Sequence, residues 1–272
     1  MDNFKNKLTV VKHNDIVEAG YRLSIYESRI LLTCISKINS MGEINNADTF
    51  LVTVEDLTDL ANLDTKSAYR NLQQAAKRLY GRSVSVQLSK NRTLDTRWVS
   101  SVEYIPNSGA VELQFSQKII PYISQIRRDF TQYRLKNVLL FKSSYSIRIY
   151  ELLVKWENNE KTIEVEWLKK RFQLENKYKN IGDLKRKVIN IAMLEINEHS
   201  DMWVNYSQIK RGRNVIAFKF EYGLKNPPKH KSTNNFNNTI NGISRAEIDK
   251  KARVGESYSE AAARLAKLKK TR

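Results

Sequence analysis

The sequence predicts an α+β fold in which one succession of helices and strands occurs twice and a tail follows. Three observations support this. Both halves show a helix, a strand, two helices and a basic hairpin in the same order. Apolar residues recur at helical or strand spacing within those elements, and the composition shifts after Tyr222. This element order is that of a winged helix, so we predict tandem winged-helix domains at 1–124 and 125–223 and a flexible basic tail at 224–272.

The first half begins with a helix that Ser24 caps, because apolar residues recur at helical spacing from Ile25 to Ile38. Turn-forming and polar residues separate the elements that follow. The expected elements are a strand at 50–54, a short helix at 55–61, a helix from 64 or 65 to 80, strands at 84–88 and 98–104 around a polar tip at 89–92, and a strand at 111–115.

The second half repeats this order. Its strand exit Val-Glu-Trp-Leu at 165–168 is similar to Val-Glu-Asp-Leu at 54–57. The expected elements are a helix at 144–156, a strand and short helix within 162–168, a helix at 181–198, and strands at 202–207 and 215–222 joined by residues 208–214. Beyond them, residues 226–235 are polar and contain proline, which is typical of a flexible linker. An Ala-rich helix is expected at 259–270.

The charge of the chain indicates a polyanionic partner. Its 47 Lys and Arg residues against 29 Asp and Glu residues give a formal net charge of +18. Nucleic acid is the usual partner of such a chain, with an anionic membrane surface second. Charge alone does not decide, because many proteins owe a net positive charge to solvated surface lysines. No apolar run is long enough to span a membrane, and no secretory signal is present. The lone cysteine, Cys34, lies in an apolar stretch and is predicted to be buried, which fits a cytoplasmic location.

The helix from 181 has an apolar face and a polar face. On a helical wheel, Leu184, Val188, Ile191 and Ala192 face inward, while Asp183 and Asn197 share the outer face with base-reading residue types. Arginine can pair with guanine and asparagine with adenine in the major groove. The candidate DNA contacts on this helix and just before it are Lys179, Asn180, Lys185, Arg186, Lys187 and Asn190. A basic helix face is often only solvated, but the basic hairpin behind this one favours DNA binding.

Two further groups of residues are candidate DNA contacts. The hairpin tip carries Lys210, Arg211 and Arg213 around Gly212, which could contact phosphates or form an ordinary charged turn. In the first half we expect contact mostly with the DNA backbone, and a merely solvated helix face is an equal alternative. The candidates there are Lys66, Ser67, Arg70, Gln74 and Lys77 on the second helix, with Lys90 and Arg92 on a hairpin tip.

The sequence offers no catalytic, metal or cofactor site. Its histidines, His13, His199 and His230, are scattered without metal-ligand spacing, and no Gly-rich phosphate loop is present. A nicking enzyme would need a metal cluster beside a nucleophilic tyrosine. Tyr145 and Tyr150 are instead better explained as core and helix residues. We therefore predict a protein that is not an enzyme.

Several segments resemble the RepB-type plasmid replication initiators in order and spacing. These are VVKHNDIVEA at 10–19 with YRLS at 21–24, SSYSIRIYELL at 143–153, LKRKVI at 184–189, EIN at 195–197 and IKRGR at 209–213. The resemblance covers roughly residues 8–222. It implies that the second winged helix reads direct repeats (iterons) at a plasmid origin. The first would contact the rest of the repeat through the backbone and form the dimer interface.

The resemblance also implies partners and regulation. Monomers in equilibrium with homodimers would bind the iterons and recruit the host initiator and replicative helicase. Dimers would repress their own promoter at an inverted repeat, which contributes to plasmid copy control. This chain departs from a leucine-heptad pattern, since Ile16, Leu23 and Ile30 are followed by Lys37. A winged-helix transcriptional regulator without initiator activity is the alternative, because both functions need only groove reading.

Overall fold

The computed structural model describes residues 8–61, 68–156, 158–226, 239–240, 243–244, 247, 251 and 258–270. The chain divides into two compact units, Met1–Asn226 and Pro227–Arg272. The described elements of the first half are β1 (Thr9–His13), α1 (Asn14–Val17), α2 (Ile25–Ser36), β2 (Thr49–Thr53), α3 (Val54–Ala61), α4 (Ala68–Tyr80), β3 (Ser83–Ser89), β4 (Arg92–Arg97), β5 (Val99–Ile105), β6 (Ala110–Phe115) and β7 (Phe130–Arg134).

The second half of the large unit supplies the remaining elements of the fold. They are α5 (Lys136–Leu139), α6 (Ser144–Lys155), β8 (Glu160–Glu164), α7 (Val165–Arg171), α8 (Ile181–Leu184), a π-helical segment (Lys185–Ile189), α9 (Asn190–His199), β9 (Met202–Arg211) and β10 (Asn214–Leu224). The run from α8 through the π segment to α9 is continuous and is called here the long helix.

The predicted start of α2 is confirmed. The Ser24 hydroxyl accepts a hydrogen bond from the Glu27 backbone N–H, and the Glu27 carboxylate accepts one from the Ser24 backbone N–H. This reciprocal capping satisfies two donors that a helix start otherwise leaves unpaired. Behind the cap, Ile30, Cys34 and Ile35 are buried, which also confirms the prediction for the lone cysteine.

Each half contains a three-stranded sheet with the same topology. The strand order is β2–β6–β5 in the first half and β8–β10–β9 in the second. The first strand of each set therefore pairs with the last, and the hairpin formed by the final two strands is the wing. By this correspondence, the β5–β6 hairpin of the first half matches β9–β10 of the second.

The predicted hairpin at 84–104 is therefore wrong in one strand. The strand that returns along β3 is β4, with Ser83 opposite Arg97, whereas β5 pairs with β6. Sequence patterns do not reveal β4 because most of its side chains are polar and exposed, and an exposed two-stranded ribbon needs no apolar face. Lys90 and Arg92 consequently lie on an inserted hairpin and not on the wing of the first winged helix.

The long helix also departs from its predicted wheel. The backbone N–H of Asn190 donates to the Lys185 carbonyl oxygen, five residues back, as in a π turn. The extra residue in that turn rotates the following face. Ile189 is therefore buried, whereas Ile191, which the wheel places inside, is 37% exposed.

The wing hairpin of the second winged helix is longer than predicted. Residues 208–211 and 214 belong to strands β9 and β10, with Arg211 opposite Asn214, so the predicted seven-residue connection is a turn at Gly212 and Arg213. Gly212 has a φ of 60°, in the left-handed region that glycine adopts readily at such turns.

The start of the chain joins the end of the first half to helix α6 of the second half. Strand β1 pairs antiparallel with β7, with Val10 opposite Tyr133. Behind this pair, the buried ammonium of Lys12 lies 2.5 Å from the Glu151 carboxylate on α6, which also accepts a hydrogen bond from the Tyr133 hydroxyl. A buried cation is tolerated only when it is paired in this way.

In the second unit, the described elements are two short strands and one helix. Strand β11 (Thr239–Ile240) pairs with β12 (Ile243–Ser244), and α10 spans Tyr258–Lys270. The predicted tail helix is thus confirmed, with Ala261, Ala262 and Leu265 buried in a small cluster. Most of the predicted linker, 227–235, lies outside the described residues. No helix within the described ranges has the length and apolar character needed to cross a membrane.

Candidate DNA-binding surface

The exposed side of the long helix carries most of the predicted base-reading residues. Arg186, Lys187 and Asn190 are exposed and Lys185 is half-buried, while Leu184 and Val188 pack inward. A guanidinium nitrogen of Arg186 donates to the Asp183 carboxylate at 2.6 Å. Because this pair is exposed, it orients the arginine without adding much stability.

The residues just before the long helix have local roles. Asn180 is the N-cap, and its side-chain oxygen accepts a hydrogen bond from the Gly182 backbone N–H at 2.7 Å. Its neighbour Lys179 is exposed. Asn180 thus fixes the start of the helix, whose positive dipole end adds to the nearby cations.

Two asparagines connect the long helix to strand β9. The side-chain oxygen of Asn190 accepts a hydrogen bond from the Tyr206 hydroxyl at 2.7 Å. Further along, the Asn197 amide donates to the Val204 carbonyl and accepts from the Val204 backbone N–H, at 2.7 and 2.9 Å. The wheel places Asn197 on the outer face with the base-reading groups. Its side chain instead fixes the angle between helix and wing.

Two apolar side chains also lie on the exposed side of the long helix. Ile191 is 37% and Leu194 is 65% exposed, and both follow Lys187 at helical spacing. An apolar side chain in a major groove can contact a thymine methyl group. No sequence pattern indicates this, because a regular wheel places Ile191 in the core.

The wing carries its three cations at the tip. Lys210, Arg211 and Arg213 are all exposed beside the turn at Gly212. A Cβ on Gly212 would meet nothing within 4 Å, so its positive φ and not crowding requires the glycine. Together, the long helix and this tip form one helix-and-wing pair within the second winged helix.

The predicted contacts of the first winged helix fall on two elements. On α4, Arg70, Gln74 and Lys77 are exposed, while Leu72, Ala76 and Leu79 are buried. Tyr69, next to Ala68 at the start of this helix, is half-buried. Lys90 and Arg92 are exposed on the inserted hairpin. The other two candidates, Lys66 and Ser67, lie outside the described residues.

The described part of the chain holds no group of three or more His, Cys, Asp or Glu side chains placed to bind a metal ion. Burial raises the pKa of Tyr145, a residue on α6, above its ordinary value. Burial likewise raises the pKa of Tyr150, whose hydroxyl donates to Asp201. The Tyr145 ring stacks on Phe172, and the Tyr150 hydroxyl also accepts a hydrogen bond from the Asn137 amide.

The fold and this surface define a protein with two tandem winged helices. Residues 9–154 match the family model described as Initiator Replication protein, WH1, and residues 164–222 match the one described as Initiator Rep protein, WH2. The chain belongs to the Initiator Replication protein family. The family resemblance found in the sequence and the predicted fold class are thereby confirmed.

Relatives of known name and structure agree with this assignment. The chain is 27% identical over 225 residues to a replication initiation protein of Escherichia coli, a match that covers 79% of this chain and 70% of the relative. It is 27% identical over 254 residues to the PI protein of Escherichia coli, covering 80% and 83%. A crystal structure of Pi initiator protein in complex with iteron DNA matches with a TM-score of 0.69 and 25% identity, covering 80% of this chain and 98% of that one.

Proposed function

We propose that this protein initiates plasmid replication by binding direct repeats, or iterons, at the origin as double-stranded DNA. The long helix enters the major groove, and the wing tip contacts the flanking backbone. The observation that carries this proposal is the exposed row of Arg186, Lys187 and Asn190, in which Tyr206 holds Asn190, together with the cationic wing tip. The similar Pi initiator protein was crystallised with iteron DNA, which supports the choice of ligand.

The first winged helix contributes a second, mainly backbone contact in this proposal. Arg70, Gln74 and Lys77 on α4, with Lys90 and Arg92 on the inserted hairpin, supply cations and one amide. The long helix and the wing tip form one helix-and-wing pair, whereas Lys90 and Arg92 lie on the inserted hairpin and not on the wing of the first winged helix. We therefore assign sequence preference mostly to the second winged helix.

Dimerisation, autorepression at an inverted repeat, and recruitment of the host initiator and replicative helicase are the finer parts of the proposal. Ile16, Leu23 and Ile30 are buried in the core, so they cannot form a heptad interface between copies. Strands β2 and β5 are the edges of the first sheet and carry the exposed side chains Leu51 and Tyr104. We place the dimer contact at this sheet.

Binding to DNA from around the gene tests the proposal. The wild-type protein should prefer fragments with direct repeats of about two helical turns and lose affinity steeply with salt. Arg186→Ala should relax the base preference. Lys210→Gln should weaken all sequences alike and lower the salt slope by about 1. Lys118→Gln, an exposed lysine outside the predicted surface, is the matched control. Unchanged affinity and preference in Arg186→Ala would contradict the docking of the long helix.

Initiator activity is tested separately from DNA binding. A plasmid that carries only the gene and its repeats should replicate, and loss of that replication in Arg186→Ala should follow its loss of repeat binding. Repeat binding without plasmid maintenance would instead identify a transcriptional regulator. Relaxation of supercoiled origin DNA in the presence of divalent metal would identify a nicking enzyme and contradict the assignment as a non-enzymatic initiator.

A further inference from the structure

A basic cleft lies between the two winged helices, and among the described residues that line it Lys187 is the one candidate DNA contact. Its volume is about 540 Å³, and both halves of the large unit form its walls. Four cations contribute to the lining: Arg22 and Arg82 from the first half, Lys142 and Lys187 from the second. Among the described residues, no Asp or Glu lines it.

The cations of the cleft are only partly neutralised by buried carboxylates behind it. Arg82 donates to the buried Glu27 carboxylate at 3.0 and 3.2 Å, and Arg78 donates to the same carboxylate at 3.1 Å. One carboxylate is thus shared by two arginines. Glu195 accepts from the backbone N–H groups of Lys142 and Ser143, which leaves the Lys142 side chain exposed. The cleft therefore keeps an excess of positive charge.

The walls of the cleft add polar groups and a fixed shape. Tyr145 and Tyr178 line it, and both are half-buried. The Lys169 ammonium donates to the Tyr178 carbonyl oxygen at 3.0 Å, which holds that wall. Helices α2 and α6 begin at the cleft, after Ser24 and Ser143, so their positive ends reinforce the cations.

We infer that this cleft binds a backbone phosphate of the DNA as the duplex passes from one winged helix to the other. The inference rests on the proposed function. Lys187 connects the base-reading side of the long helix with the cleft. It lies on the exposed side of that helix beside Arg186 and also lines the cleft. A duplex whose groove holds the long helix must run past this point. Arginine, lysine and hydroxyl groups without a carboxylate suit a phosphodiester.

Salt-dependent binding of the full-length protein tests the cleft. Arg22→Gln, Lys142→Gln and the double variant are compared with Lys118→Gln. We expect the cleft variants to lose affinity for repeat and unrelated DNA in the same proportion. The slope of log affinity against log salt should fall by about 0.9 for each phosphate that a variant no longer neutralises. Lys142 is exposed, so Lys142→Gln tests the site even if Arg22→Gln disturbs the fold. Cleft variants that behave like Lys118→Gln would overturn the inference.

Neutral DNA backbones locate the phosphate. Repeat DNA with a single methylphosphonate at successive positions should lose affinity for the wild-type protein at a position between the two groove contacts. The same substitution should have no further effect on Lys142→Gln. If the methylphosphonate lowered the affinity of Lys142→Gln as much as that of the wild-type protein at every position, the inference would be overturned.

Failure of the cleft can be distinguished from failure of the proposed function. Wild-type protein that shows no preference for repeat DNA would refute the proposed function, whereas normal preference with silent cleft variants would refute the cleft alone. Inorganic phosphate is titrated without DNA as the second arm. Saturable phosphate binding that Lys142→Gln abolishes, with DNA binding unchanged, would assign the cleft to a free phosphate compound and overturn the inference.

Discussion

The Tyr206 hydroxyl donates a hydrogen bond to the side-chain oxygen of Asn190 at 2.7 Å, so strand β9 holds a polar group on the exposed side of the long helix. Burial raises the pKa of Tyr206 above its ordinary value, so the hydroxyl remains a donor at neutral pH as an ordinary phenol does. The Tyr206 ring also packs against Phe218, with centroids 5.6 Å apart. The wing thus orients a base-reading residue as well as carrying cations.

Tyr206→Phe should keep the ring packing and remove only this hydrogen bond. We expect the variant to lose part of the roughly 1–3 kcal/mol by which a well-placed base contact discriminates against the wrong base. The free energy of unfolding should change little, because this hydrogen bond is exposed. Competition binding between repeat DNA and single-base variants measures the discrimination. Because the hydroxyl acts through Asn190, the double variant with Asn190→Ala should bind no worse than Asn190→Ala alone. Additive losses would show that Tyr206 acts independently.

The π segment predicts different costs for two neighbouring isoleucines. Ile189 is fully buried, so Ile189→Ala should lower the free energy of unfolding by about 2–5 kcal/mol. Ile191 is 37% exposed, so Ile191→Ala should cost less than about 1 kcal/mol. Urea denaturation of both variants measures the difference. The reverse order of costs would mean that the helix is regular and that Ile191 packs in the core.

The element order is predictable from the sequence, because each helix and each buried strand carries its own periodic apolar pattern. Ser24 with Glu27 marks the start of α2, and Ser143 caps α6 at the expected place. Strand β4 escapes prediction because its pairing with β3 leaves it mostly exposed. The rotation of the long helix is also not predictable from the sequence. A π turn has no apolar signature, and a helical wheel assumes the same rotation for every residue.

The candidate site is predictable where it depends on one element and unpredictable where it depends on several. Arg186, Lys187 and Asn190 follow from a single helix. The basic cleft requires Arg22 from the first half and Lys142 from the second to meet across the fold, and no local pattern records that approach. Charged residues in the core are equally hidden, since Lys12 and Glu151 look like ordinary surface residues in isolation.

Arg148 should be essential for stability. It lies on helix α6 but is buried, whereas arginines on helices usually face solvent. Its buried guanidinium donates to the carbonyl oxygens of Ala19 and Tyr21 at 2.8 and 3.0 Å and lies 3.5 Å from the centre of the Tyr21 ring. Arg148→Met would leave these carbonyls without their donor, so we expect a loss of about 3 kcal/mol or more in the free energy of unfolding. Urea denaturation measures it. Arg128→Met, at an exposed arginine, is the control and should change little.

If Arg148→Met were as stable as Arg128→Met, the junction between the chain start and α6 would not depend on this residue. Arg148→Lys gives a finer test. A lysine keeps the charge but loses the planar fork that reaches two carbonyls and stacks on Tyr21. It should therefore recover only part of the lost stability.

Cys34 should be protected from modification in the native protein. The thiol is fully buried, and burial raises its pKa to about 12. Because the folded-state pKa is raised, the thiol contributes stability that is fully present below the unfolded pKa, about 8.5, and that is lost as pH rises towards the folded value. Alkylation with iodoacetamide at about pH 8.5 should be slower than in the urea-denatured chain by roughly a thousandfold or more, since the native site must open first. Mass spectrometry measures both rates, and comparable rates would mean that α2 is not packed in the core as described.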